Sequence, residues 1–512
     1  MVPMLEGYVK RILSSRVYDV AVESPLQQAP MLSRRLGCNV WLKREDHQPV
    51  FSFKLRGAYN KMAALPDAAR ARGVITASAG NHAQGVAMAA ARLGVRATIV
   101  MGRNTPSIKV NAVKAHGARV VLHGDTYDEA AAHAQVLEAD QELTYVHPYD
   151  DVEVIAGQGT VGLEIVNQHP GVPDVVFVPV GGGGLIAGIA AFVKYIYPKT
   201  RIIGVEPRGS HCLQAALAAG RRVKLPAESL DLFADGVSVA QIGRETFKVA
   251  RRYVDEVIVV SVDEICAAIK DVFEDTRVIA EPAGALAVAG LKRYVEERGA
   301  DAVAGQDLTA VISGANVNFD RLRHISERAE VGEHREALLA VSIDEKQGSF
   351  LRFCRALGKR SITEFNYRYA GAGDSAHVYV GMQVGSRDDQ EAVVTALRGK
   401  NYAVVDMTAN EAAKLHVRHM VGGRNVVEQE ERLFRFEFPE RPGALVQFLA
   451  GLGTDWNITL FHYRNHGAAF GRVLVGFAAD TGTRAKLVRY LDRIGYRFWE
   501  ETENPAYQLF LK

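Results

Sequence analysis

The 512-residue chain reads as an α/β protein followed by a duplicated α+β part. Two patterns carry that expectation. From Val74 to Val317, short apolar runs alternate with helical stretches, which implies parallel sheets covered by helices on both faces. Beyond that, the stretch 337–408 recurs as 431–502, at a spacing of about 95 residues. The divisions expected are an α/β part over 1–320 with a smaller subdomain inserted at about 55–145, a charged connector over 321–336, and the two repeated modules.

The elements follow in order. A leading helix and irregular chain occupy the first 50 residues, with a short strand at Val40-Trp41-Leu42-Lys43. A helix runs through Tyr59 and Met62 and stops before Pro66. Strands are expected at 74–76, 97–101 and 119–122, with helices at 83–93, 108–116 and 126–139 between and after them. A further helix runs from Gln158-Gly159-Thr160 to about His169. The run 175–180 is apolar throughout, as in a strand covered on both faces, and an apolar helix begins at Leu185. Later strands lie at 201–205, 257–260 and 309–312, and 320–335 is a helical connector.

In the repeat, Gly348 aligns with Gly443, Phe353 with Phe448, Leu357 with Leu452 and Gly358 with Gly453. Thr363, Phe365, Tyr367 and Arg368 then align with Thr459, Phe461, Tyr463 and Arg464. Each copy reads strand, helix, strand, strand, helix, strand.

Composition excludes several classes. Hydrophobic residues at 48% and charged residues at 23% are ordinary globular values. A net charge of +2 leaves no basic footprint for nucleic acid. The four cysteines, Cys38, Cys212, Cys266 and Cys354, form no Cys-x-x-Cys pair, which argues against a disulfide framework and fits a reducing cytoplasm. Residues 1–20 have no apolar core of a secretory signal. The uncharged stretches 73–91 and 175–193 are long enough to span a bilayer, but their central glycines and polar residues make each a strand, turn and helix. The histidines lack ligand spacing, and no metal is expected.

Four motifs carry chemistry. In Phe51-Ser52-Phe53-Lys54-Leu55-Arg56-Gly57-Ala58, one lysine sits between aromatic residues, just past the charged run Lys43-Arg44-Glu45-Asp46. Alone, Lys54 reads as a surface lysine that begins a helix. Desolvated, it becomes an amine able to attack a carbonyl. Gly181-Gly182-Gly183-Gly184 lies between a buried strand and a helix, where bare backbone N–H groups and the helix N-terminus suit a phosphate. A merely tight turn would need one or two glycines. The spacing matches neither the P-loop nor the dinucleotide fingerprint. Ser78-Ala79-Gly80-Asn81-His82 opens a helix and can cradle a carboxylate, although Ser78 or Asn81 could equally be a cap. Ser313, in Ser313-Gly314-Ala315-Asn316, is either a turn serine or a hydroxyl at a strand tip facing the ligand crevice. An amine, a phosphate bed and a hydroxyl together suit pyridoxal 5′-phosphate. Glu281-Pro282-Ala283-Gly284-Ala285 opens a helix near the same crevice; its glutamate either contacts the site or only favours the helix start.

Together these motifs resemble the fold type II, tryptophan-synthase-β-like pyridoxal phosphate enzymes, and within them the biosynthetic threonine ammonia-lyases (threonine deaminases or dehydratases). The resemblance covers nearly the whole chain, since the duplicated tail resembles that family's two ACT-like regulatory modules. It implies that Lys54 holds the cofactor as an imine and acts as the base at the substrate α-carbon. Asn81 would bond the ring hydroxyl oxygen, and Gly181, Gly182, Gly183, Gly184 and Leu185 the phosphate. Ser313 would bond the pyridine nitrogen, and Phe53 would pack near the ring. Ser78, Ala79, Gly80 and His82 would help to hold the substrate carboxylate.

The activity implied is a carbon–nitrogen lyase converting L-threonine, and L-serine with it, to the 2-oxo acid and ammonia in isoleucine biosynthesis. Isoleucine is the implied feedback inhibitor and valine its antagonist, in a cytoplasmic homotetramer with no nucleic-acid or membrane partner. Phe365, Tyr367, Phe461 and Tyr463, in the repeated Phe-x-Tyr-Arg segments, are the effector-site candidates; they also read as core strand residues. A serine dehydratase, a serine racemase and a non-catalytic amino-acid-binding protein are the alternatives. The duplicated tail disfavours the first two, and intact Lys54 and Ser313 disfavour the third.

Overall fold

The computed structural model describes residues 2–344, 375–419 and 482–511 throughout, and between them residues 352–353, 356–358, 360, 362–367, 430–439, 456, 458–464 and 470–479. It divides into two compact units, Met1–Ile325 and Ser326–Lys512.

The first unit holds two sheets. The larger has six strands in the spatial order Leu26–Gln28, Asn39–Arg44, Asp307–Ile312, Val175–Pro179, Arg201–Pro207, Glu256–Val260. Only its first pair is antiparallel. The smaller is parallel throughout, in the order Arg119–Leu122, Ala97–Met101, Val74–Ala77, Thr144–Tyr145. Val175–Pro179 is buried at all five positions, as its unbroken apolar run requires. The uncharged stretches fold as Val74–Ala77 with helix Asn81–Leu93, and as Val175–Pro179 with helix Gly184–Ile196. Among the described residues no helix is long and apolar enough to cross a membrane.

Two expectations change. The helix expected from residue 158 begins at Val152, where Asp151 caps it by accepting from the backbone N–H groups of Glu153 (2.8 Å) and Val154 (3.2 Å). The glycines inside it allow close contact between helices. A β-carbon on Gly157 would stand 2.7 Å from Cα of Gly57, on helix Lys54–Ala63. One on Gly188, in helix Gly184–Ile196, would stand 2.6 Å from the nitrogen of Gly159. The helix expected around Tyr59 begins at Lys54 itself.

The charged run before Lys54 is interior. Lys43, Arg44, Glu45 and Asp46 are all buried. Arg56 bonds both oxygens of Glu45 (2.7 Å each) and both of Glu164 (2.5 and 2.9 Å), and Lys43 reaches Glu164 at 2.6 Å. Two cations and two carboxylates cancel, which is the condition for burying them. The cluster ties strand Asn39–Arg44 and helix Val152–Gln168 to helix Lys54–Ala63, within the same turn as Lys54.

In the second unit each copy of the repeat forms an antiparallel four-stranded sheet. The first runs Ile362–Tyr367, Ser375–Gln383, Glu336–Asp344, Ala403–Asp406; the second runs Ile458–Arg464, Phe470–Ala478, Glu431–Pro439, Arg497–Glu500. The register slips at the same place in both, between Ile362 and Glu364 and between Ile458 and Leu460. Helices Arg387–Gly399 and Arg484–Ile494 are equivalent. Leu338, Ala340 and Tyr379 share one apolar cluster with Leu433 and Leu474, so the two copies pack on each other, joined by the C-terminal helix Pro505–Phe510. The connector is a short turn, Phe319–Arg321, and helix Leu322–Gly332. The repeat positions Gly348, Arg368, Gly443, Phe448, Leu452 and Gly453 lie outside the described residues, as do the side chains of Phe365, Tyr367, Phe461 and Tyr463, whose backbones lie on Ile362–Tyr367 and Ile458–Arg464.

Candidate active site

Four separated segments of the first unit converge around Lys54. The segment carrying it is fastened to the tip of strand Asp307–Ile312. Phe53 N–H donates to Ser313 C=O (3.2 Å), Ala315 N–H donates to Phe51 C=O (2.9 Å), and Ser52 bridges to Gly314. Phe51 takes φ of +55°, a left-handed conformation uncommon for a bulky side chain, just before the lysine. Lys54 then starts helix Lys54–Ala63, and its Nζ donates to the carbonyl of Pro148 at 3.0 Å, 5.2 Å from the Phe53 ring centre. Burial lowers its pKa to about 8, against a smaller opposing pull from Glu281.

Pro148 leads to the glycine loop. Tyr149 lies against it so closely that a β-carbon on Gly182 would overlap the tyrosine ring. The loop between is stiffened by His147 Nδ1, which accepts from the N–H groups of Tyr149 (3.2 Å) and Asp150 (2.8 Å). Gly183 has φ of +91°, a conformation that favours glycine, and begins helix Gly184–Ile196 with no side-chain cap. The amides of that first turn have no intrahelical acceptor, and the positive end of the helix lies just past the C-terminal end of strand Val175–Pro179. This is a cradle for a dianion with no room for side chains.

Helix Asn81–Leu93 opens the third segment, with Gly80 at its cap position and no side-chain cap. Ser78 and Asn81 therefore do not cap it. The Ser78 hydroxyl accepts from Gly80 N–H at 3.3 Å, and Asn81 is turned inward. Asn81 Nδ2 donates to Glu281 Oε1 (2.6 Å), and its Oδ1 accepts from Asn316 Nδ2 (2.7 Å). His82 is buried, with Nε2 2.9 Å from the carbonyl of Val146. A carbonyl only accepts, so Nε2 carries the proton and Nδ1 is a bare acceptor, without a protein partner among the described residues. Burial and then the nearby Lys54 charge lower the pKa of the ring to about 3, so it is neutral. The His82 ring consequently has no donor left for a substrate carboxylate. The groups there that can still donate are the backbone N–H groups of the helix's first turn and the Ser78 hydroxyl.

Ser313 is buried at the strand tip, its hydroxyl 3.2 Å from the carbonyl of Ala283. That is long for a hydroxyl donor, so the group can turn to another partner. Glu281 was the ambiguous residue. It makes no side-chain cap on helix Pro282–Arg298 and spends its carboxylate on Asn81. Burial, followed by the charge of Asp235, raises its pKa to about 7. Sequence reasoning missed the His147-Pro148-Tyr149 wall, which has no motif, and the place of Asn316 in the network, although it ends the motif that contains Ser313.

These parts fit pyridoxal 5′-phosphate. A desolvated amine suits an aldehyde, uncapped glycine amides suit a phosphate, and an imidazole nitrogen without a partner and a loosely held hydroxyl have capacity left for a ligand.

The comparisons agree. Residues 18–314 match the family described as pyridoxal-phosphate dependent enzyme. Residues 327–417 and 422–511 each match the C-terminal regulatory domain of threonine dehydratase. The chain is 54% identical over 507 residues to the L-threonine dehydratase biosynthetic IlvA of Burkholderia multivorans, covering 98% of this chain and 99% of that one. Among solved structures, the processed form of threonine deaminase isoform 2 from Solanum lycopersicum is 50% identical with a TM-score of 0.62, over 64% of this chain and 94% of that one. Maize serine racemase is 32% identical with a TM-score of 0.58, over 62% of this chain and 95% of that one.

Proposed function

The chain belongs to the pyridoxal-phosphate-dependent enzymes that carry the threonine dehydratase regulatory domain, and from that premise we propose that it converts L-threonine to 2-oxobutanoate and ammonia, the step that opens isoleucine biosynthesis. The observation that carries the reading is the Lys54 amine, desolvated and held 3.0 Å from the Pro148 carbonyl beside the glycine cradle.

When bound, the cofactor supplies a sink for the electrons of the substrate Cα–H bond. The residues do the rest. Lys54 Nζ would hold the cofactor, and its neutral amine would be the base that takes the proton from the substrate Cα. The N–H groups of Gly181–Leu185 would hold the phosphate, with Phe53 beside the ring. Ser313 would offer the ring nitrogen a neutral hydroxyl rather than a carboxylate, which would keep the sink moderate and suit loss of a β-hydroxyl over transamination. Asn81 would meet the ring oxygen. Ser78, Ala79 and Gly80 line the carboxylate end of the substrate, with His82 contributing through its backbone N–H.

Threonine is favoured over the serine-directed readings by extent. Residues 327–417 and 422–511 each match the threonine dehydratase regulatory domain, and the likeness to a dehydratase spans 98% of this chain, the duplicated tail included. That tail is the seat of isoleucine inhibition and valine relief, with L-serine a secondary substrate. The same reading takes the enzyme to be a cytoplasmic homotetramer, and rests there on family resemblance. The test is 2-oxobutanoate formation from L-threonine by the purified protein with pyridoxal phosphate, with and without isoleucine. Turnover suppressed by isoleucine is expected. Turnover on L-serine alone would overturn the substrate, and indifference to isoleucine would overturn the role of the tail.

A further inference from the structure

We infer that Asn316 is a positioning residue, which fixes the orientation of the Asn81 side-chain amide and so decides which group Asn81 turns towards the ring oxygen of the cofactor. The inference rests on the cofactor reading above.

The argument starts at the backbone carbonyl of Val50, which can only accept. Asn316 Nδ2 lies 2.8 Å from it. The end of the Asn316 amide facing Val50 must therefore be its NH2. The second hydrogen of that NH2 points to Asn81 at 2.7 Å, so the Asn81 atom there must be oxygen. The Asn81 NH2 is then turned the other way, onto Glu281 Oε1 at 2.6 Å. Orientation is handed on in one direction, from Val50 through Asn316 and Asn81 to Glu281. Reversing Asn81 would set NH2 against NH2 at one end and oxygen against oxygen at the other. Asn316 has spent both of its N–H groups and Asn81 one of two, which leaves a single Asn81 N–H to offer a ligand.

The source of that orientation is also the source of the amine. Val50 stands four residues before Lys54, on the segment that Ser313, Gly314 and Ala315 hold in place. One backbone segment thus sets both the anchoring amine and, through Asn316, the hydrogen bond to the ring oxygen. Glu281 alone would not suffice, because a carboxyl group can accept or, when protonated, donate. Val50 has no such freedom.

The experiment compares Asn316→Ala and Asn316→Asp with the full-length wild-type protein, stripped of cofactor and titrated with pyridoxal phosphate by absorbance and fluorescence. Thermal unfolding of each cofactor-free protein is recorded alongside. Asn316→Ala is expected to raise the cofactor Kd roughly five- to thirtyfold, the equivalent of one positioned hydrogen bond. Asn316→Asp is nearly the same shape but sets an oxygen against Val50 and Asn81. It is expected to bind more weakly than the alanine variant and to shift the pH titration of the bound cofactor's visible band. A residue that merely filled space would give the opposite order, with aspartate the milder change. That order, or a fall in melting temperature with Kd and the band titration unchanged, would overturn the assignment. Wild-type protein that takes up no cofactor would instead overturn the functional reading beneath it.

Discussion

Gly284 lies against Gly314 with no space for a side-chain carbon: a β-carbon built on Gly284 would overlap the carbonyl oxygen of Gly314. The start of helix Pro282–Arg298 thereby touches the strand tip that presents Ser313, and Ser313 N–H donates to Gly284 C=O at 3.4 Å. Gly284→Ala must push helix and tip apart. A loss of about 1–3 kcal/mol, the usual cost of overpacking, is expected in denaturant unfolding, together with weaker cofactor binding. Unchanged stability and affinity would show that the contact yields freely.

Arg56 makes a second point about burial. It is 0% exposed and is shared by Glu45 and Glu164. Arg56→Ala leaves two carboxylates in the interior with only Lys43 to balance them, and breaking a buried pair in this way costs about 3–5 kcal/mol. Thermal or urea unfolding of the cofactor-free protein should register a loss of that order. A loss below about 1 kcal/mol, the scale of an exposed pair, would mean that water reaches the cluster.

The lowered pKa of Lys54 gives a pH dependence with a definite sign. Only the neutral amine attacks an aldehyde, and its fraction grows as pH rises through the pKa. With that pKa near 8, the rate at which cofactor-free protein captures pyridoxal phosphate should climb about tenfold per pH unit below 8 and level off above it. Stopped-flow absorbance reads this directly. A rate still climbing at about pH 10 would assign the lysine an ordinary solvated environment. Lys54→Ala should lose threonine turnover by at least the roughly hundred- to ten-thousandfold that a positioned base contributes.

The regulatory tail is tested through its repeat. Phe461 and Tyr463 occupy the strand paired with Phe470–Ala478, and Phe365 and Tyr367 hold the matching places in the first copy. Phe461→Ala and Tyr463→Ala are expected to raise the isoleucine concentration needed for half-inhibition several-fold, by about 1 kcal/mol or more of lost contact, with kcat for threonine little changed. Inhibition unchanged in both variants would remove these strands from the effector site.

Much of this was legible because it depends on local pattern. The alternation of apolar runs marks strands such as Val175–Pro179 and Ala97–Met101 almost to the residue, since a covered strand can tolerate little else. The repeat announces two similar sheets, and even their register slip recurs. The start of helix Val152–Gln168 was not legible, because it depends on packing. Gly157, Gly159 and Gly162 sit inside that helix, where neighbouring helices need the room.

The sequence by itself determined which chemical groups are present and in what local setting: one lysine among aromatics, four glycines after an apolar strand, a serine at a strand end, and a module copied once. Those are properties of neighbours along the chain, which period and propensity report. Only the tertiary structure decided what the groups are worth. It buries Lys54 and so lowers its pKa, spends the one donor of the His82 ring on Val146, turns Glu281 from its helix to Asn81, and hides Arg56 between two carboxylates. Each outcome depends on burial and on partners tens to hundreds of residues away, and hydrogen bonding and charge are set by what is near in space.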